Sequence, residues 1–176
     1  MKHYILTGTP GSGKTSLIRD LEMRGYPVVE EAATDVIAHE QSLGYFEPWK
    51  QPEFIDKIVH LQKQRQLQAL YVPSLIRFYD RSPICTYALS VYLRYKPSIN
   101  LLREIERTRK LYERRVFFIE NLGFCQPTEA RKISFEESLI FENIHLEAYE
   151  KFGYDCIKIP LSSIAERVDS ILRLTI

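Results

Sequence analysis

A three-layer α/β fold is predicted for this chain: a five-stranded parallel sheet with helices on both faces. Two observations predict it. Five short apolar runs, ending in turn at Thr7, Glu30, Asp80, Glu120 and Ile159, alternate with stretches of helical character. Strands separated by helices pair in parallel, with the crossovers packed on the faces of the sheet. The first run leads directly into "GTPGSGKTS", Gly8 to Ser16, where Gly8, Gly13, Lys14 and Thr15 fill the fixed places of G-x-x-x-x-G-K-[ST]. A strand before that spacing and a helix after it are the context that gives it meaning.

The elements follow in order. Residues 4–7 form the first strand and 13–24 the first helix, with Gly25 suited to its C-terminal cap. "YPVVE", 26–30, is the second strand. Helices are expected over 32–42 and 52–71, separated by the aromatic loop "GYFEPWKQP". The third strand is 74–80. Ser82-Pro83 is an N-cap followed by proline at the first helical position, so a helix starts there. A further helix is expected over 98–113 and the fourth strand over 115–120. Ser134-Phe135-Glu136-Glu137 has the capping-box spacing, opening a helix that runs to Phe152 and stops at Gly153. "YDCIKI", 154–159, is the fifth strand, and Ser162 or Ser163 caps a last helix. No internal repeat or low-complexity linker interrupts this order. One domain is expected over 1–176, with a helical, lid-like segment over about 96–134.

The glycine-rich stretch asks for a particular chemistry. Phosphate oxygens are held best by a concave row of backbone N–H groups, which side chains would obstruct. The N-terminus of the next helix adds a favourable dipole for an anion. Thr9, Pro10, Gly11, Ser12, Gly13, Lys14, Thr15 and Ser16 are therefore the candidate nucleotide-binding residues. Lys14 is placed to reach the β- and γ-phosphates, and the Thr15 hydroxyl to ligate Mg²⁺. ATP is the expected nucleotide, with GTP as the alternative. This is a phosphate-loop NTPase fold.

Composition narrows the setting. A chain of 176 residues with 45% hydrophobic and 27% charged residues is ordinary for a globular domain. A net charge of +1 gives no reason to expect nucleic-acid binding. Cys85, Cys125 and Cys156 are scattered, without C-x-x-C, and read as free thiols of a reducing compartment. His3, His39, His60 and His145 show no metal-ligand spacing. No apolar run is long enough to span a membrane, and Gly8 and Pro10 break the first apolar run too early for a signal peptide. A cytoplasmic protein is expected.

In sheets of this kind the chemistry gathers beyond the carboxyl ends of the strands. Strand two ends in Glu30-Glu31, strand three in Asp80-Arg81-Ser82, and strand four in Glu120-Asn121. An apolar strand ending in Asp is the second half of a nucleotide-and-Mg²⁺ site, so Asp80 joins Thr15 as a metal candidate, directly or through a bound water. Helix-dipole stabilisation would account for any one of these acids, but less readily for the set. Arg103, Arg107, Lys110 and Arg114 recur at helical spacing, and Arg131 and Lys132 precede the capping box; the segment reads as a basic lid, Arg131 being its best candidate to meet a transferring phosphoryl group. Taken singly, each member also reads as part of a solvated face. Tyr45, Phe46, Trp49 and Phe54 either line an acceptor pocket or anchor the helices to the core, the second being favoured. Cys85 has no base beside it and reads as packing.

The N-K-x-D and D-x-x-G elements of translational-type GTPases are absent, and the chain is short for the added helical domain of ring-forming AAA+ machines. "YDRSP" resembles the Asp-Arg-Ser or Asp-Arg-Gly element of nucleoside and nucleotide kinases. Together with "ILTGTPGSGKTSLIRDLEMRGYPVVEEAA", "FFIENLGF" and "FGYDCIKIPLSSIAERVDSIL", it makes most of the chain similar to a family of small predicted ATPases, AAA-type, related to the nicotinamide riboside kinase domain of bacterial NadR. The resemblance implies nucleotide binding, a strand-two acid at Glu31 and a strand-three acid at Asp80. An arginine often follows the family's Glu-Ala-Ala element; here Thr34 stands in its place.

The expectation is an ATP-dependent phosphotransferase with a nucleoside-like or other small hydroxylated acceptor. Lys14 and Mg²⁺ would neutralise the phosphates, Asp80 or Glu31 would orient or deprotonate the acceptor hydroxyl, and Arg81 and Arg131 would stabilise charge in transfer. The alternative is a non-enzymatic ATP- or GTP-dependent switch that binds a protein partner or an anionic lipid. A closed cavity beside the γ-phosphate, faced by Glu31 or Asp80, would separate the two.

Overall fold

A computed structural model describes residues 1–121 and 134–175. Its five strands are β1 (Lys2–Thr7), β2 (Val28–Val29), β3 (Ile76–Asp80), β4 (Arg115–Ile119) and β5 (Asp155–Ile159), all parallel, in the order β2-β3-β1-β4-β5. The helices are α1 (Lys14–Met23), α2 (Ala33–Ser42), α3 (Glu53–Ala69), α4 (Pro83–Tyr92), α5 (Ile99–Thr108), α6 (Phe135–Lys151) and α7 (Ile164–Arg173), with a 3₁₀ turn at Pro48–Lys50. Among the described residues no helix is long and apolar enough to cross a membrane.

Alternation along the strands sorts the core into two layers. Successive strand side chains point to opposite faces. Ile5, Tyr79 and Val116 pack with α2 to α6, whereas Tyr4, Leu6, Phe78 and Phe117 pack with α1 and α7 through residues such as Leu17, Leu21, Val168 and Ile171. Strands buried on both faces explain why β3 and β4 read as nearly continuous apolar runs.

Three of the elements that differ from their sequence-based extents have a clear physical reason. β2 contains two residues rather than five. It is an edge strand, and Pro27 at its entrance has no N–H to give to a ladder, though its carbonyl accepts from Phe78 N at 3.0 Å. β1 begins two residues earlier than its apolar run, because tertiary partners accommodate the polar start: His3 Nδ1 and the Tyr79 hydroxyl lie 2.8 Å apart, and Lys2 Nζ donates to Thr175 O at 3.1 Å. α5 ends at Thr108, not at 113. The Thr108 hydroxyl bonds back to Glu104 O at 2.9 Å, and the chain then turns so that Tyr112 is buried and Glu113 N reaches His3 O at 2.8 Å.

The lid expected over about 96–134 is corrected over its first part. Leu101 and Ile105 sit in the core, so α5 is a packed helix of the α2–α6 layer. Arg107 is turned onto Glu104 (2.6 Å) and Gln66 Oε1 (2.5 Å) rather than towards the phosphate loop. Lys110 and Arg114 lie beyond the helix end and share no helical face with Arg103. Arg131, Lys132 and Cys125 lie outside the described residues.

Candidate active site

The site is built around the end of β1. Leu6 pairs with Asp80 and Thr7 with Phe118, so β1 lies between β3 and β4 where their carboxyl ends open. The chain runs from β1 to β2 and β3 on one side and crosses to β4 and β5 on the other. That reversal of direction is where such sheets hold ligands.

The phosphate loop spans this point. Gly8 has φ 134°, and a Cβ there would lie 2.5 Å from Ile119 O, so only glycine lets the loop pass over β4. Gly11 and Gly13 have φ 83° and 82°, a region in which side chains are strained. Lys14 is buried, and its Nζ donates to Thr9 O at 2.9 Å and Ser12 Oγ at 3.0 Å. Thr15 and Ser16 are exposed in the first turn of α1, with their hydroxyls at the helix end that favours anions. Asn121 Nδ2 donates to Thr9 Oγ1 at 3.3 Å.

One brace on the loop escaped the sequence reading. Arg167, buried on α7, donates from Nη1 to Ser12 O at 3.1 Å and from Nη2 to Glu120 O at 3.0 Å, tying the loop to the end of β4. An arginine at helical spacing in a C-terminal amphipathic helix looks like any solvated cation, so nothing in the sequence marked it.

β3 delivers Asp80 and Arg81. Asp80 is buried at the strand end beside β1. Arg81 adopts φ 76°, a left-handed conformation unusual outside glycine. Its N–H donates to Leu6 O at 3.0 Å, which turns the side chain away from the ladder. The guanidinium is buried, with Nε 2.5 Å from Glu31 Oε1 and Nη1 3.3 Å from His145 Nε2. Burial opposes its charge, but Glu31, Cys85 and Asp80 outweigh burial and raise its pKa. A guanidinium only donates, so His145 Nε2 accepts, and Nδ1–H donates to Phe141 O at 2.9 Å. Burial and then Arg81 lower the His145 pKa to about 3, so the ring is neutral.

Glu31 and Glu30, adjacent in sequence, part company in the fold. Glu30 is exposed; Glu31 turns inward onto Arg81 and also accepts from Thr34 Oγ1 at 2.8 Å. Thr34, which follows Glu31-Ala32-Ala33, thus supports the acid. Arg65 of α3 binds the Glu31 carbonyl and the Asp35 carboxylate, fixing the turn into α2.

Beyond Glu31 and Arg81 opens a cavity of about 160 Å³. Pro10 of the phosphate loop, Glu31 and Arg81 line it together with Gln62 of α3 and Cys85 and Thr86 of α4. Its remaining wall is apolar, with Ile37, Trp49, Phe54, Leu89, Tyr92 and Phe141 among the members. The aromatic loop therefore divides. Trp49 and Phe54 serve both cavity and core, and Tyr45 and Phe46 are exposed. The favoured anchoring role thus holds for Trp49 and Phe54, which also face the pocket. Cys85 is packed as expected, with its thiol 3.1 Å from Thr7 Oγ1 and 3.0 Å from the Tyr149 hydroxyl, yet it also borders the cavity. Gln62, Tyr92 and Phe141 were not anticipated; they come from three helices, and only the fold brings them together.

Glu31 lines this cavity, and Asp80 is not among its lining residues. Among the described residues no cluster of three His, Cys, Asp or Glu side chains is arranged to hold a metal ion. The Thr15 hydroxyl and Asp80 carboxylate are hard oxygen donors of the kind Mg²⁺ takes alongside phosphate.

Solved structures of similar fold include the deoxyadenosine kinase from M. mycoides with the products dCMP and a flexible dCDP bound (14% identity, 98% of both chains, TM-score 0.63). NadR in complex with NR is also similar (16% identity, 98% of this chain and 50% of that chain, TM-score 0.70), as is NadR with NAD and AMP-PNP (16%, 99% and 49%, 0.71). This chain spans about half of those NadR chains. A comparison with curated proteins gives no match. A family model described as AAA domain matches residues 3–167. A match over that much of the sequence, on a phosphate loop set in a nucleoside-kinase-like fold, makes the chain a member of this AAA domain family.

Proposed function

We propose that the protein is an ATP-dependent phosphotransferase that moves the γ-phosphoryl group to the hydroxyl of a small, nucleoside-like or similar acceptor. The observation that carries this reading is the cavity lined by Pro10 of the phosphate loop together with Glu31 and Arg81. A nucleotide-dependent switch has no need of an acceptor space next to the loop.

Backbone N–H groups of the loop and Lys14 hold the β- and γ-phosphates. Mg²⁺, held by Thr15 and Asp80, would supply charge neutralisation on the phosphates. The acceptor hydroxyl oxygen attacks the γ-phosphorus, the bond to the β-phosphate oxygen breaks to release ADP, and the hydroxyl proton passes to the Glu31 carboxylate. Arg81, in contact with Glu31, orients the carboxylate and adds positive charge where negative charge spreads. Arg131, from the expected lid, is the candidate for a second arginine at the phosphoryl group. The transition state of phosphoryl transfer is loose, so Glu31 contributes orientation first and proton acceptance late.

ADP release in the presence of Mg-ATP, measured against nucleosides, sugars and small alcohols, tests the reading. Stimulation by at least one acceptor is expected. With that acceptor, Glu31→Gln should lower transfer by about 10²–10⁴-fold while leaving ATP affinity near the wild-type value. Absence of stimulation by every acceptor, or an unchanged rate in Glu31→Gln, rejects it and gives the switch precedence.

A further inference from the structure

The end of the sheet away from the phosphate loop carries an apolar surface that the site does not use. From Gln66 to Ile76 the chain reads QLQALYVPSLI, without a charged residue. Tyr71 and Leu75 are 88% and 85% exposed, Val72 is 56% exposed, and Leu67 and Leu70 are 42% exposed each. Leu67 and Leu70 lie one turn apart at the end of α3, and Tyr71, Val72 and Leu75 follow in the turn that leads to β3. That turn is pinned to the sheet. The buried Arg77 donates to the Val72 carbonyl, Ser74 Oγ donates to Ile76 O at 2.5 Å, and Lys2 N donates to Leu75 O at 2.8 Å. The bare side chains therefore stand on fixed backbone. Their apolar surface, several hundred Å², is of the size that marks contact sites on soluble proteins. With a polar rim it approaches the ~800 Å² that each partner gives to a standard interface.

We propose that this face joins two copies of the chain across a two-fold axis, with each phosphate loop at the end away from the contact. The inference is independent of phosphoryl transfer. Charge selects the occupant. The adjoining turn, 109–114, reaches the same end of the sheet, since Glu113 N donates to His3 O at 2.8 Å and Asp155 N to Arg114 O at 2.8 Å. Arg109, Lys110 and Arg114 there are matched by Glu106, Glu113 and Asp155, and Arg109 Nη1 lies 3.7 Å from Glu106 Oε2. The neighbouring cations Lys2 and Arg115 donate to Thr175 O and Leu174 O. An anionic bilayer is drawn to clusters of about 4–8 Lys and Arg, which this balanced rim does not supply. A two-fold contact needs a patch that meets itself without repulsion. A charge-free stretch does so, and a rim of both signs is complementary to its own copy.

Sedimentation velocity on the chain over about 1–100 µM tests this. A monomer–dimer equilibrium is expected. Leu75→Glu and Tyr71→Glu should each weaken it by more than about tenfold, because two-fold symmetry brings each new carboxylate into the contact twice. Both side chains are nearly bare, so the variants should keep the circular dichroism of the wild-type protein. Ile140→Glu, at an exposed apolar residue of α6 outside the face, should leave association unchanged. A wild-type chain that stays monomeric at about 100 µM overturns the proposal. So does a dimer that Leu75→Glu and Tyr71→Glu leave intact, or that Ile140→Glu weakens equally. Co-sedimentation of a monomer with phosphatidylcholine–phosphatidylserine vesicles, lost in Leu75→Glu, gives the face to a bilayer and overturns it too. Dimer formation as expected, without acceptor-stimulated ADP release, leaves this inference standing and rejects phosphoryl transfer. ADP release from a strictly monomeric chain does the reverse.

Discussion

Arg81 is held in a conformation that its own backbone disfavours. A left-handed φ costs a residue with a side chain about 1–2 kcal/mol, and such strain persists where the surroundings over-determine it. Here the Leu6 carbonyl, Glu31 and His145 do so. His145 carries a measurable consequence. Its folded pKa, about 3, lies below the ordinary 6.5, so the unfolded chain takes the proton first as pH falls. The His145 contribution is therefore complete above 6.5 and declines towards 3, by about 1.4 kcal/mol for each pH unit in that window. His3, lowered to about 4 by burial, Arg77 and the N-terminus, adds to the same slope until its own pKa. Urea unfolding at several pH values should show stability falling below 6.5. His145→Gln, which keeps an acceptor for Arg81 but does not titrate, should flatten the slope by roughly one histidine. An unchanged slope in the variant shows that His145 is not the titrating group. No spacing in the sequence warns of this: His145 is one polar residue on a helix whose apolar face does not stand out, and its partner is 64 residues away.

At the scale of elements, α7 bears on the phosphate loop through a brace that joins it to the end of β4. Arg167→Met keeps a long apolar stem but removes both hydrogen bonds, to Ser12 O and Glu120 O. Hydrogen bonds from charged groups contribute ~1.5–3 kcal/mol, so calorimetric ADP affinity should fall by about 10–100-fold, with α7 still packed through Val168 and Ile171. Unchanged affinity would mean that the loop keeps its shape without the brace. Other elements were legible because their local and tertiary preferences agree. Ser134 and Glu137 form the expected capping box, Ser163 caps α7, and Ser82 caps α4 ahead of Pro83. Where the preferences diverge, the sequence misleads. α5 carries helix formers past Thr108, but burial of Tyr112 and the return to β4 stop it earlier, and that also dissolves the expected basic stripe.

For the whole molecule, nucleotide binding should appear as stability. A ligand selective for the folded state adds about 2.7 kcal/mol at a hundredfold excess over Kd, or roughly 5–10 °C in Tm for a domain of this size. Mg-ATP or Mg-GTP should raise Tm by that order, and Lys14→Ala should abolish the rise. No rise with either nucleotide in the wild-type protein removes the basis of the functional reading. The sheet and the phosphate loop could be read from the sequence because periodicity and glycine spacing are local properties. The cavity could not, because α2, α3, α4 and α6 each supply only a few residues to it, and no spacing within one helix records what faces it across the fold.

The contact between Arg167 and the phosphate loop also bears on synthesis. During synthesis Ser12 meets its brace only 155 residues later, and β1 lacks its β4 neighbour until residue 116 has been made. A nascent chain therefore carries the loop long before the loop has its finished shape. Products released before α7 hold the phosphate-binding residues without the support that shapes them, so nucleotide binding at full strength waits for α7.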